Sequence, residues 1–147
     1  MHTLRRNQQG VMLIEALIGI LIFSMGILAI MGLQAFSIKN TIEARYRTEA
    51  SFLANKLIGT MWTECGVTTC ATTLPSFDST SGSNPKMANW RNEVAAKLPG
   101  VVVGGANSPT IVVAGNTVTV TMLWKIPGTD ATTRNFRVIA QINPSAI

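Results

Sequence analysis

Residues 10–34 read G-V-M-L-I-E-A-L-I-G-I-L-I-F-S-M-G-I-L-A-I-M-G-L-Q, and their reading decides the fold. The run has no Lys, Arg or Pro and a single acid, Glu15. An apolar helix needs about 20 residues to cross a bilayer, so the stretch is long enough. The acid is what needs explaining. An ionisable group in a membrane segment is costly, and the default expectation is that it has a purpose and a partner.

Upstream lies a short leader that carries Arg5 and Arg6 and closes at Gly10. A secretory signal has an apolar core of about 7–15 residues, with a small-residue cleavage site at its far end. This run is longer, and its acid stands at the start. A plain single-span anchor accounts for the length but not for Glu15 beside Gly10. Asn7-Gln8-Gln9 after the arginines does not suit a twin-arginine signal.

Gly10, apolar residues at once, an acid at the fifth position and the segment Leu13-Ile14-Glu15-Ala16-Leu17-Ile18-Gly19 closely resemble the class III signal of type IV prepilins and the related pseudopilins. Val11 departs from the phenylalanine most members have there. The resemblance implies removal of leader 1–10 by the prepilin peptidase, cutting between Gly10 and Val11, then N-methylation of Val11. It also implies a pairing of Glu15 with the Val11 amino group of a neighbouring subunit. Charge alone does not orient the span, because Arg5 and Arg6 before it face Lys39, Arg45 and Arg47 after it. The resemblance puts the leader in the cytoplasm and the rest outside.

Past the span the helix is expected to continue. Ile38, Ile42, Tyr46, Ala50, Leu53, Leu57 and Met61 recur at spacings of four and three, which makes one apolar stripe. A helix from about Met12 to about Trp62 would be roughly 75 Å long. Residues 11–36 would lie in the membrane, and 37–147 would form the extracytoplasmic domain. Cys65 to Cys70 and Thr72 to Pro85 are rich in Thr, Ser, Gly, Asn and Pro and read as a surface loop. A short helix follows, capped by Ser83 or Asn84, spaced by Met87, Trp90, Val94 and Leu98, and ended by Pro99-Gly100. Trp90 reads as its core anchor.

The remainder reads as an antiparallel meander. Val101–Val103 is expected as a short edge strand. Thr110–Ala114 and Asn116–Ile126 flank the turn pair Gly115-Asn116. Val118, Val120, Met122, Trp124 and Ile126 alternate with Thr117, Thr119, Thr121 and Lys125; Phe136, Val138, Ala140 and Ile142 give a third strand one apolar face. A one-faced sheet needs a cover, and the second half of the long helix is the surface to supply it. The fold class is α+β, a long helix laid across a small antiparallel sheet, which is also the pilin fold. The segment W-R-N-E-V-A-A-K-L-P-G at 90–100, followed by a Val/Thr-rich meander, is similar to the PilV type of minor pilin. Major pilins usually close a disulfide loop near the carboxyl end, and no cysteine follows Cys70 here.

At 147 residues there is room for one domain beyond the span. Removing Arg5 and Arg6 with the leader takes the formal net charge from +5 to +3, and no basic run suggests nucleic acid. The only histidine, His2, lies in the leader, so the mature chain has neither a Ser-His-Asp triad nor a histidine metal site. Glu43, Glu49, Glu64, Asp78, Glu93 and Asp130 are scattered singly, and no phosphate-cradling glycine loop precedes a helix. The sequence points away from an enzyme, a cofactor or a small-molecule substrate.

The expected function is that of a minor pilin, a non-catalytic type IV pilus subunit that helps initiate assembly and serves twitching motility or adhesion. Its partners would be other major and minor pilins, the prepilin peptidase and the inner-membrane assembly platform. It would reside in the bacterial inner membrane before assembly and on the cell surface afterwards. A minor pseudopilin of a type II secretion system shares the same signal. A DNA-binding competence pilin would need a basic stripe, for which Lys125, Arg134 and Arg137 are too few. In the oxidising compartment the resemblance implies, Cys65 and Cys70 are expected to pair; two free thiols are the alternative.

Overall fold

Continuous helix is what the first 64 residues permit, since the first proline of the sequence is Pro75. In a computed structural model of the chain, which describes residues 9–66, 69–80, 84–128 and 132–143, helix α1 spans Gln9–Glu64. Leader residues 1–8 and Ser83 lie outside the described residues, as does Asp130. Two more helices follow, α2 at Cys70–Thr73 and α3 at Pro85–Lys97, with a 3-10 turn at Leu74–Phe77 between them. Strands β1 (Thr110–Ala114), β2 (Thr117–Trp124) and β3 (Arg134–Gln141) form one antiparallel sheet in sequence order. The arrangement is α+β, with the long N-terminal helix packed on the small sheet.

The chain divides into two compact units, Met1–Ile42 and Glu43–Ile147. In the first, every large apolar side chain from Val11 to Ile38 is at least 43 % exposed. In the second, the helix buries one stripe, Ala50, Leu53, Ala54, Leu57 and Met61, with Tyr46 packed at its margin. The stripe expected from Ile38 therefore begins to be covered only at Tyr46; Ile38 and Ile42 remain exposed.

The sheet supplies the facing surface. Val118, Val120, Met122 and Trp124 of β2 are all fully buried, and their neighbours Thr117, Thr119 and Thr121 are half-buried. That alternation is what a two-residue side-chain period gives on a sheet covered on one side. β1 and β2 meet in the register Ala114↔Thr117 to Thr110↔Thr121. Gly115 turns the hairpin at φ +59°, a positive angle that tight two-residue turns demand of their first residue in the II′ form. β3 pairs from Arg134↔Trp124 to Gln141↔Thr117, and Ile142 beyond it is buried.

Helix α3 begins as its sequence dictates. The Asn84 side chain accepts from the Lys86 N–H at 2.9 Å, and Pro85 takes the first turn, where no donor is needed. Met87, Trp90 and Val94 are buried, as is Leu98 just past the end. The Trp90 Nε1–H donates to the Leu53 carbonyl at 2.8 Å, which fixes α3 on α1. Three ion pairs mark the antiparallel course of the two helices: Lys86 with Glu64, Lys56 with Glu93 at 2.7 Å, and Lys97 with Glu49 at 2.6 Å.

Two expectations are corrected. Val101–Val103 is not a strand: Gly105 N–H bonds back to the Val102 carbonyl at 3.0 Å, which makes a turn there, and only Val101 is buried. Gly100, at φ +73° and packed against Lys125, redirects the chain before it has room to pair. The stretch after Cys70 is not all surface loop either. Leu74 and Phe77 are buried in the core, and Cys70 is buried with them.

Candidate functional site

The residues singled out by the sequence fall into two places, one in each unit. The first is the start of α1. Gly10 and Val11 lie in its opening turn, and Glu15 follows one turn later, about 6 Å along the axis. Val11, Ile14, Glu15 and Ile18 line one shallow surface, so the carboxylate is set among aliphatic side chains on a single helix face. Val11 is 68 % exposed. Glycine is among the weakest helix formers, so Gly10 adds little to the opening turn. The Val11 backbone nitrogen lies one turn of helix before Glu15.

The second place is the end of α1. Cys65 and Cys70 are joined as a disulfide immediately after Glu64. Gly66 lies within the closed loop, and its carbonyl accepts from Cys70 N–H at 3.1 Å. Beside the bridge, Asn84 connects three elements. Its Oδ1 caps α3, and its Nδ2 donates to Glu64 at 3.1 Å and to the Ser76 hydroxyl at 3.3 Å. Glu64 also pairs with Lys86, and the Lys86 hydrogen bond, ahead of every other influence, holds its carboxyl below the ordinary value of 4.5. At the other end of the helix pair, the hydrogen bond to Glu49 raises the Lys97 ammonium above its ordinary 10.5.

Some organising residues carried no signal that was read from the sequence. Asp78 and Ser79 tie down the free edge of β1: Ser79 N–H donates to the Ile111 carbonyl at 2.8 Å, and the Ser79 hydroxyl accepts from Ile111 N–H at 2.6 Å. The Asp78 carboxylate accepts from Val113 N–H at 2.9 Å and from Thr80 N–H at 2.8 Å. The available hint was Leu74 and Phe77, two apolar residues three apart in an otherwise polar stretch. At the start of the globular unit, Arg134 Nε lies 3.3 Å from Glu43, an ion pair between β3 and α1 without hydrogen-bond geometry. Arg134 thus faces inward, whereas Arg137 and Lys125 are exposed. Among the described residues, no group of three His, Cys, Asp or Glu is placed to hold a metal ion.

Comparison with family models, with curated proteins and with solved structures finds no match to this chain. The long apolar helix of residues 10–64 meets the length and composition needed to cross a membrane.

Proposed function

We propose that the chain is a minor pilin: a non-catalytic subunit made as a precursor, cut between Gly10 and Val11, and drawn from a membrane into a type IV pilus. One observation carries this reading. From Val11 to Ile38 every large apolar side chain is exposed and the only charge is Glu15, while the same helix beyond Tyr46 buries one stripe in a globular core. A helix of that kind has two partners, a fold at one end and a hydrophobic medium at the other. Lipid supplies that medium before assembly, and the helices of neighbouring subunits supply it in a fibre.

The amphipathic half keeps the globular unit attached to the helix, and the apolar half bundles with its counterparts. Burial of Glu15 in such a bundle is tolerable when the carboxylate meets a cation, and the amino group of Val11 on the adjacent subunit provides one. The test is the mass of the protein isolated from cells with and without a prepilin peptidase. The expected product in peptidase-positive cells begins at Val11 and carries one extra methyl group. A chain that retains Met1 in both strains would end the proposal.

A further inference from the structure

The sheet has two edges, and the globular unit treats them differently. β1 is closed by Asp78 and Ser79, which take its outward N–H groups at Val113 and Ile111. Backbone groups of an antiparallel ladder alternate in direction, so Thr110, Val112 and Ala114 bond to Thr121, Thr119 and Thr117 of β2. The same alternation makes Val118, Val120, Met122 and Trp124 bond to Ala140, Val138, Phe136 and Arg134 of β3. The N–H and C=O groups of Asn135, Arg137, Ile139 and Gln141 are therefore left on the outer edge of β3. No described residue bonds to any of them. The edge is eight residues long, about 27 Å, and runs without proline, glycine or bulge. An open edge of that length is a template for another strand.

Charge says which strand. No residue of the three strands is acidic, and Arg134, one of the two arginines of β3, is already ion-paired with Glu43. The other, Arg137, is exposed on the outer face opposite Thr121, with no ion-pair or hydrogen-bond partner among the described residues. On the inner face, Arg47, Thr48 and Ser51 of α1 and the half-buried Phe136 border an open groove at β3. Arg47 is likewise exposed and unpaired among the described residues. The glutamates cannot answer these cations from within, because Glu43, Glu49, Glu64 and Glu93 each have a partner of their own. Two copies of β3 laid edge to edge would bring together arginines and no acid, so charge disfavours a second copy and favours an acidic strand.

We propose that the outer edge of β3 receives an extended segment of another protein as a fourth strand, one that carries a glutamate or aspartate among apolar residues. The acid stands opposite Arg137 on the outer face. Its neighbour in the segment turns inward, onto the groove of Phe136 and Arg47. The next outward residue covers Ile139, which is 61 % exposed. In strand addition of this kind, main-chain bonds give affinity and alternate side chains give selectivity. The proposal stands on the globular unit alone and holds whether or not the chain enters a pilus.

The experiment uses the full chain in detergent. The probe is a capped synthetic peptide of about eight residues, valine and threonine around one central glutamate, with a twin that has lysine in its place. Amide hydrogen exchange followed by NMR should show new protection at Asn135, Arg137, Ile139 and Gln141. Fluorescence anisotropy should favour the glutamate peptide by about fivefold or more, and R137E should reverse the order. I139P removes an outward N–H without touching the bonds to β2, so its circular dichroism should match the wild type while its binding is lost. Methylation of the peptide nitrogens that face β3 should abolish binding to the wild type, and this result and R137E decide the matter if I139P does not fold. Equal binding of the twins, protection confined to other residues, or binding of neither peptide overturns the proposal. Self-association of the wild type that I139P abolishes, with no peptide bound, would assign the edge to a second copy instead. The pilus reading is tested by the mass of the amino terminus, so the two fail separately.

Discussion

Glu15 stands on the same helix face as Val11, Ile14 and Ile18, with no other charge in the apolar segment. Glu15 is the seventh residue of α1, past the first turn in which the helix dipole favours a carboxylate. On the proposed function, burial in a bundle would require a cation, which the Val11 amino group of a neighbouring subunit would supply. Glu15→Ala is therefore expected to be inserted and cleaved normally but to be under-represented in sheared pili relative to the membrane pool. Incorporation equal to the wild type would remove the role given to Glu15. Glu64 supports a different prediction, about acid. Its carboxyl is held below its ordinary 4.5 by Lys86 first, with Asn84 helping against partial burial. A lowered folded value means that the stabilisation is complete above the unfolded value, and is lost as pH falls through the folded one. Glu64→Gln should remove that part of the acid sensitivity below about pH 4.5. Because the group is partly solvated, the stability difference at neutral pH should stay within about 1 kcal/mol. Thermal melts of both proteins from neutral to acid pH measure it.

At the scale of elements, the free edge of β1 is closed by Asp78 and Ser79 rather than by another strand. An open edge is a template for pairing with other chains, and a carboxylate on it is one known way of blunting it. Asp78→Ala leaves the Val113 N–H without its acceptor and should cost about 1–3 kcal/mol. A urea titration reads the loss, and light scattering should show faster self-association; a variant as stable and as monodisperse as the wild type would contradict this account. This tie was invisible in the sequence because it joins residues more than thirty positions apart, through an Asp and a Ser whose types alone do not say which backbone they meet. β2 was legible apart from its ends, expected over Asn116–Ile126 and found over Thr117–Trp124, since the apolar Val118, Val120, Met122 and Trp124 alternate as in a strand covered on one face. The anchor at Trp90 was legible from helical spacing, and the cap was narrowed to Ser83 or Asn84, of which Asn84 caps α3. Val101–Val103 misled because β-branched residues favour strands only where a partner strand is within reach. Leu74 and Phe77 were hidden by polar neighbours whose composition says loop, although two apolar side chains were enough to turn that loop inward.

For the molecule as a whole, the decisive property is that one helix serves two environments. Its first part has no cover among the described residues, and its second part is the spine of a core. The division was legible because charge returns at Lys39 and Glu43. The point at which burial begins was not, because a stripe that continues past the last covered turn looks the same in sequence. If residues 11–36 span a membrane, the chain should stay in the pellet after alkaline carbonate washing. Phe23→Asp with Ile27→Asp places two carboxylates near the middle of the span, each costing about 2.5–3.5 kcal/mol or more. That variant is expected in the soluble wash, with its disulfide-closed domain still folded by circular dichroism. Retention of the double variant in the pellet would mean that something other than the helix holds the protein there.

The joint at Asn84 bears on how the protein ages. Asparagine deamidates when the backbone nitrogen of the next residue attacks the side-chain amide and closes a succinimide ring. The next residue here is Pro85, whose nitrogen carries no hydrogen and cannot make that attack. Conversion to aspartate would replace the amide donor to Glu64 and Ser76 with a second carboxylate beside the first. The same proline that starts α3 thus shields the contact between the helices from the commonest spontaneous chemical damage.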